Sequence, residues 1–186
     1  MKIALIGPRG AGKSKLSRKL SKKIEWVAFS TDILISYEAG GKTIKEIVEQ
    51  EGWFSFRNRE YEILKKLYTM DRIIIDCGGG ILFDVDPYTQ KEIESQRKIE
   101  LLKQNSFVIY IQRDLDWLLQ KNINNAQRPS LSQDEDYETL LLRRLPVYKK
   151  YANFVLDMKD REIEEGVEEI LFFLRKKSLY SEIFNK

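Results

Sequence analysis

Residues 7–14 read Gly7-Pro8-Arg9-Gly10-Ala11-Gly12-Lys13-Ser14 and follow directly on the apolar run Lys2–Ile6. The run is short and ends at a glycine, which predicts a buried strand. Leu16 and Leu20 then share one face at helical spacing, which predicts a helix over Lys13–Lys23. A G-x-x-x-x-G-K-[ST] loop between a strand and a helix is a phosphate-binding turn. Its glycines let the backbone wrap an anion without Cβ clashes. The free amides and the dipole of the new helix favour negative charge at that point. In such a loop the lysine reaches the outer phosphates of a nucleoside triphosphate, and the hydroxyl residue holds Mg²⁺. Gly10, Ala11, Gly12, Lys13, Ser14 and Lys15 are therefore the candidate nucleotide-binding residues, with ATP and Mg²⁺ as the candidate cofactors.

The rest of the chain continues the alternation. Strands are predicted at Trp26–Phe29, Arg72–Asp76, Phe107–Ile111 and Phe154–Leu156. Helices are predicted at Ile33–Tyr37, Ile44–Glu51, Ser55–Tyr68, Pro87–Gln104, Leu115–Lys121, Tyr137–Tyr151 and Glu162–Lys176. The charge-rich helix over Pro87–Gln104 reads as a solvated face. The polar stretch Asn122–Gln133 lacks periodicity and reads as a loop. Strands that alternate with helices imply crossover connections, a mostly parallel sheet and helices on both of its faces. Ligands of such sheets bind beyond the carboxyl ends of the strands. A chain of 186 residues without repeat or linker suits a single domain spanning 1–186.

Composition narrows the chemistry. There is no histidine and one cysteine, Cys77. Serine–histidine and cysteine–histidine catalysis, histidine-ligated metals and an intrachain disulfide are excluded, and a reducing cytoplasm is the natural setting. With 32 basic and 29 acidic residues, the chain lacks the excess expected of a nucleic-acid binder. Five apolar residues before Gly7-Pro8 are too few for a signal-peptide core, and no stretch has the length to span a membrane. A soluble protein acting through carboxylates, lysine, arginine and backbone amides is expected.

Five further segments stand where ligands are expected or pair arginine with its partners. They are Ser30-Thr31-Asp32, Phe56-Arg57-Asn58-Arg59-Glu60, Gly78-Gly79-Gly80, Arg128-Pro129-Ser130-Leu131 and Arg144-Leu145-Pro146-Val147-Tyr148. Taken alone, each has a bland reading. Asp32 could cap a helix. Arg57 and Glu60, three residues apart, could be a solvated ion pair. The glycines could form a flexible turn. In this order, together with the phosphate loop, they resemble the shikimate kinase family from Met1 to about Leu174.

The resemblance implies a three-layer α/β/α sandwich around a five-stranded parallel sheet of order 2-3-1-4-5. Its core would be 1–29, 71–121 and 134–174, with an acceptor segment at 31–68 and a lid at 122–133. It implies that Asp32 contacts the acceptor hydroxyl and that Arg57, steadied by Glu60, forks onto the shikimate carboxylate. Gly78, Gly79 and Gly80 would pack against the ring, Arg128 would reach the transferring phosphoryl group from the lid, and Arg144 would be the second carboxylate clamp. Lys13, Asp32 and Arg128 would be catalytic, in a monomer that takes the small molecule shikimate and no nucleic acid or membrane.

The sequence departs from the pattern in places. The family's first acidic residue of D-x-D is Ser30 here, whereas the third strand ends in Asp76. An apolar strand that ends in aspartate is how other phosphate-loop enzymes hold Mg²⁺ through water. Ser14 and Asp76 are thus the candidate metal residues, with a plain strand-end role for Asp76 as the alternative. Lys121 stands where relatives often stack an arginine on adenine, and the segment between Gly80 and Phe107 is longer than usual. A kinase of another small hydroxy acid, or a nucleotide-binding module without catalysis, are the competing readings.

Overall fold

Along strand β1 (Lys2–Ile6) alternate side chains enter two different cores. Ile3 and Leu5 join one apolar cluster, whereas Ala4 and Ile6 join another. Strands β3 (Ile73–Asp76) and β6 (Phe107–Gln112) repeat the split, with Ile74, Ile109 and Ile111 on one side and Ile73, Ile75, Val108 and Tyr110 on the other. A sheet apolar on both faces must be covered on both faces. The computed structural model describes residues 1–123 and 136–176 and shows that cover. Helices α1 (Lys13–Ile24) and α7 (Ile163–Lys176) bury Leu16, Leu20, Ile170 and Leu174 in the first cluster. Helices α2 (Thr31–Glu38), α3 (Ile44–Leu67) and α4 (Gln96–Asn105) bury Ile35, Ile63, Leu64 and Leu102 in the second.

With β2 (Val27–Ser30) and β7 (Phe154–Asp157), the sheet runs β2-β3-β1-β6-β7, and every neighbouring pair is parallel. Numbering these five strands alone along the chain gives the expected order 2-3-1-4-5. Among the described residues no helix is long and apolar enough to cross a membrane.

The helices expected at Ile44–Glu51 and Ser55–Tyr68 are both present, divided at Gly52, whose φ of 77° is non-helical; together they are the element α3. One element assignment changes. The single helix expected over Pro87–Gln104 is instead the second half of a hairpin followed by a shorter helix. Strands β4 (Phe83–Val85) and β5 (Glu92–Glu94) pair antiparallel, and α4 starts only at Gln96. The cause is local side-chain chemistry. Asp86 Oδ1 accepts from the amides of Tyr88 and Thr89 at 3.0 and 2.7 Å, which closes a turn. Ser95 then caps α4. The helix is not a wholly solvated face either, because Lys98, Ile99 and Leu102 are buried. Helix α5 (Leu115–Ile123) takes in positions 122 and 123, expected as loop. The remainder of the expected lid, Arg128 included, lies outside the described residues. Helix α6 (Tyr137–Tyr151) then leads back to the sheet.

Candidate active site

The β1–α1 turn supplies the first wall of a cavity of about 690 Å³. Gly10 and Gly12 take left-handed φ values of 85° and 101°, which an L side chain resists. Lys13 is buried, and its ammonium donates to the carbonyls of Gly7 and Pro8 at 2.8 and 2.9 Å. Burial pulls its pKa down, and the nearby carboxylates of Asp76 and Asp32 partly offset that. Gly10, Gly12, Lys13, Ser14 and Lys15 all line the cavity, whereas Ala11 turns into the core. Lys121 lines it too and packs its Cβ over Gly10, 3.3 Å from where a side chain there would begin.

The carboxyl ends of β2 and β3 supply the second wall. Ser30 and Asp76 are register partners on these two strands, and both line the cavity. Asp32 does not cap its helix. Ser30 holds the N-cap position, and Asp32 stands in the first turn of α2. Thr31 fixes that turn to the glycine run by accepting from the Gly78 amide at 2.8 Å. Asp32 faces open cavity and so retains accessible surface, yet protein crowds it on the other sides. This partial desolvation, with the Glu60 carboxylate beside it, raises its pKa above the ordinary range.

The glycine run is closely packed on all three residues. A Cβ at Gly78 would lie 2.5 Å from Asp32 Oδ1 and 3.2 Å from Glu60 Oε1. A Cβ at Gly80 would lie 2.2 Å from Arg57 Nη1, and one at Gly79 would press on the backbone of Arg9 at 3.2 Å. The run is thus the hub where phosphate loop, aspartate and arginine meet, and not a loose turn.

Arg57 and Glu60 are not a solvated pair. Both are buried, with Nη1 donating to Oε2 at 2.9 Å. The same Oε2 accepts from Lys98 Nζ at 2.9 Å. Lys98 is fully buried, donates to the Phe83 carbonyl at 2.6 Å and lies 3.1 Å from Asp84. Burial alone would raise the Glu60 pKa, but Arg57 and Lys98 outweigh it and hold the carboxylate below its ordinary value. Glu60 Oε1 has no hydrogen-bond partner among the described residues and sits beside Gly78 at the cavity wall. Trp53 lines the cavity, and the Arg57 guanidinium lies 5.1 Å from its ring centre.

Arg144 is placed differently. It is 2% exposed and does not line the cavity. It donates through Nε to Glu92 Oε1 at 2.9 Å and through Nη2 to Glu92 Oε2. Arg143, the surface neighbour, donates to the same Oε1 at 2.7 Å. Tyr148, one turn on, donates its hydroxyl to the Gly79 carbonyl and stacks on Tyr110 at 5.5 Å.

A phosphate loop, an aspartate and a buried arginine–glutamate pair thus surround one cleft. The model of the shikimate kinase family matches residues 9–175. The chain belongs to the shikimate kinase family. It is 46% identical over 178 residues to the shikimate kinase of Leptospira biflexa, covering 96% of this chain and 98% of that protein. The shikimate kinase of Rhodococcus jostii is 33% identical over 173 residues, covering 91% and 95%. Among solved structures, the shikimate kinase of Acinetobacter baumannii in complex with shikimate superposes with a TM-score of 0.81 at 28% identity, covering 96% of this chain and 94% of that one. That of Aquifex aeolicus superposes at 0.77 with 25% identity, covering 96% and 99%.

Of the site residues predicted here, the structure gathers Lys13, Ser14, Asp32, Arg57, Glu60, Asp76 and the three glycines on one cavity. It leaves Arg144 behind the hairpin. Sequence reasoning did not single out Lys98, Asp84 or Glu92. For Lys98 the signal was present. It shares a helix face with Leu102 four residues on, once the helix is taken to start after the Ser95 cap. Glu92 carries no local signal, since its hydrogen-bond partners lie on α6, more than fifty residues away.

Proposed function

We propose that this chain transfers the γ-phosphoryl group of ATP to the 3-hydroxyl of shikimate, giving shikimate 3-phosphate and ADP. One observation carries the reading. Asp32, Glu60 and Arg57 converge on Gly78–Gly80, and Gly79 in turn lies against the phosphate loop. A hydroxylated acid held by that wall has its alcohol at Asp32 and faces a nucleotide held by Lys13 and the loop amides.

In this reading Asp32 orients the attacking hydroxyl and takes its proton. A raised pKa makes it a better base than an ordinary carboxylate. Lys13 exchanges its loop carbonyls for phosphate oxygens and stabilises charge as it spreads over the transferring group. Arg57 forks onto the acceptor carboxylate, a geometry that lysine cannot reproduce. Glu60 and, behind it, Lys98 keep that fork in place. Arg144 provides the second clamp and Arg128 the cation that arrives from the lid. Transfer is in-line and needs no phosphorylated enzyme.

The residues at the start of α1 and the end of β3 fit Mg²⁺. Ser14 offers a hydroxyl and Asp76 a carboxylate, the oxygen donors this hard cation takes. Because Asp76 pairs in register with Ser30, a carboxylate moved between these positions stays on the same rim of the sheet. Bound there, Mg²⁺ would neutralise phosphate charge.

The test is ADP formation by the purified protein with MgATP, with and without shikimate. The expected result is shikimate-dependent turnover that Lys13→Ala and Asp32→Ala both abolish. ATP binding without shikimate-dependent turnover would reject this reading.

A further inference from the structure

The β4–β5 hairpin brings a carboxylate to the two arginines assigned to the acceptor's carboxylate. Glu92 Oε1 accepts from Arg144 Nε at 2.9 Å and from Arg143 Nη1 at 2.7 Å. Glu92 Oε2 accepts from Arg144 Nη2 and lies 3.8 Å from Arg57 Nη2. We propose that Glu92 is an internal occupant of the acceptor-carboxylate site, displaced by the substrate's own carboxylate, and that it thereby sets the affinity for the acceptor. This rests on Arg57 and Arg144 being the clamp of the proposed reaction.

Three observations carry the proposal. The first is that Arg144 is spent. Its Nε and Nη2 form the edge that grips a carboxylate bidentately, and Glu92 holds both. A second carboxylate cannot use that edge until the first leaves it.

The second is charge. Arg57, Arg144 and Lys98 are buried cations, and Glu60, Glu92 and Asp84 are the carboxylates paired with them. The partly exposed Arg97 and Arg143 add to them at the rim, on Asp84 and Glu92. A further carboxylate brought to Arg144 while Glu92 stays would set two carboxylates against each other in a poorly solvated place, which is costly. Exchanging Glu92 for a substrate carboxylate avoids that repulsion.

The third is the build of the hairpin. Strand β4 is anchored, with Phe83 and Val85 buried and Asp84 bound to Lys98 and Arg97. Strand β5 is not. It has three residues, pairs with β4 alone and leaves Ile93 47% exposed. A two-stranded ribbon of this length has little stability of its own. Its hold on α6 is polar: Glu92 on Arg143 and Arg144, and Glu94 on Lys150 at 3.0 Å and on the Tyr151 hydroxyl. The exposed Glu94 contacts open at small cost, whereas the mostly buried Glu92 leaves Arg144 only as another carboxylate takes its place.

The probe is cyclohex-1-ene-1-carboxylate, a ring acid without hydroxyls, titrated calorimetrically into the full chain without nucleotide. Glu92→Gln should bind it about tenfold more tightly than wild type, as when an occupant that fills a site nine-tenths of the time is removed. Glu94→Gln loosens β5 without touching the arginines and should bind more tightly by a smaller factor. The KM for shikimate should fall in the same order. Equal or weaker probe binding by Glu92→Gln, or no binding by any form, overturns the proposal and makes Glu92 a partner that orients Arg144. If Glu92→Gln does not fold, Glu94→Gln decides by the same sign. Probe binding is read without turnover. Loss of shikimate-dependent ADP formation in wild type therefore rejects the substrate reading, while unchanged probe affinity in the variants rejects this one.

Discussion

The two walls of the cleft are built in opposite ways. The nucleotide wall is one contiguous turn, residues 7–14, and its working groups are largely backbone amides at the start of α1. The acceptor wall is assembled from α2, α3, the 78–80 run and, behind them, β4, β5, α4 and α6. Its working groups are charged side chains, and Arg57, Glu60 and Arg144 need partners because they are buried. Backbone chemistry comes with the turn itself. Buried side-chain chemistry has to be held by residues far away in sequence. The first wall should therefore fail through a single residue, the second through its supports.

The largest expected effect belongs to the nucleotide wall. Lys13→Met should lower kcat about a thousandfold, the upper range for removing one group that stabilises transition-state charge. Steady-state ADP release checks it, with melting as the control for folding. Asp32→Asn should lower kcat roughly a hundredfold or more, as loss of a positioned base does.

Asp32→Asn should also raise the melting temperature at neutral pH. A carboxyl whose folded pKa is raised binds its proton more tightly folded than unfolded. Stability is therefore lost as pH rises from the ordinary carboxylate range through the raised value. The neutral isostere escapes that loss, so its advantage should be full above the raised pKa and vanish below about pH 4. Melting curves of both proteins across pH decide the sign, and an Asn variant less stable at pH 8 would show that the Asp32 charge costs the fold nothing.

Lys98→Met probes a support. Breaking a buried pair from one side costs about 3–5 kcal/mol, because Glu60 would then share its charge with Arg57 alone. Urea unfolding measures this. If the acceptor wall depends on that support, KM for shikimate rises in the surviving protein while KM for ATP holds. Equal rises in both would erase the difference between the walls. The smallest effect is expected from Asp76→Asn, a shift of roughly tenfold in the Mg²⁺ concentration for half-maximal rate, if Asp76 meets the metal only through water. An unchanged Mg²⁺ titration would leave Asp76 a strand-end residue.

The same contrast governs what the sequence could reveal. The phosphate loop, the parallel order of the sheet and the two-sided core follow from short-range pattern, so Lys2–Ile6, Lys13–Lys23 and Phe107–Ile111 lie within a residue of the observed elements. Asp32, Arg57 and Glu60 were legible as residues of a family pattern, but nothing near them says that Lys98 completes their charge balance. The hairpin was missed because Glu, Lys and Gln between 90 and 104 read as a solvated helix. Only the Asp86 turn and the Ser95 cap divide it, and both depend on single side chains. Glu92 was illegible because charge pairing across fifty residues leaves no periodicity to read.

Cys77 closes β3 at the floor of the cleft, 1% exposed, and burial raises its thiol well above the usual value. Thiolate is the form that reacts with maleimides and iodoacetamides. The native chain therefore behaves towards such reagents almost as one without cysteine. A Tyr88→Cys substitution at the hairpin tip, where the native side chain is 93% exposed, would be labelled alone. A dye there could follow the tip of the ribbon in otherwise native protein, with no background thiol to engineer away.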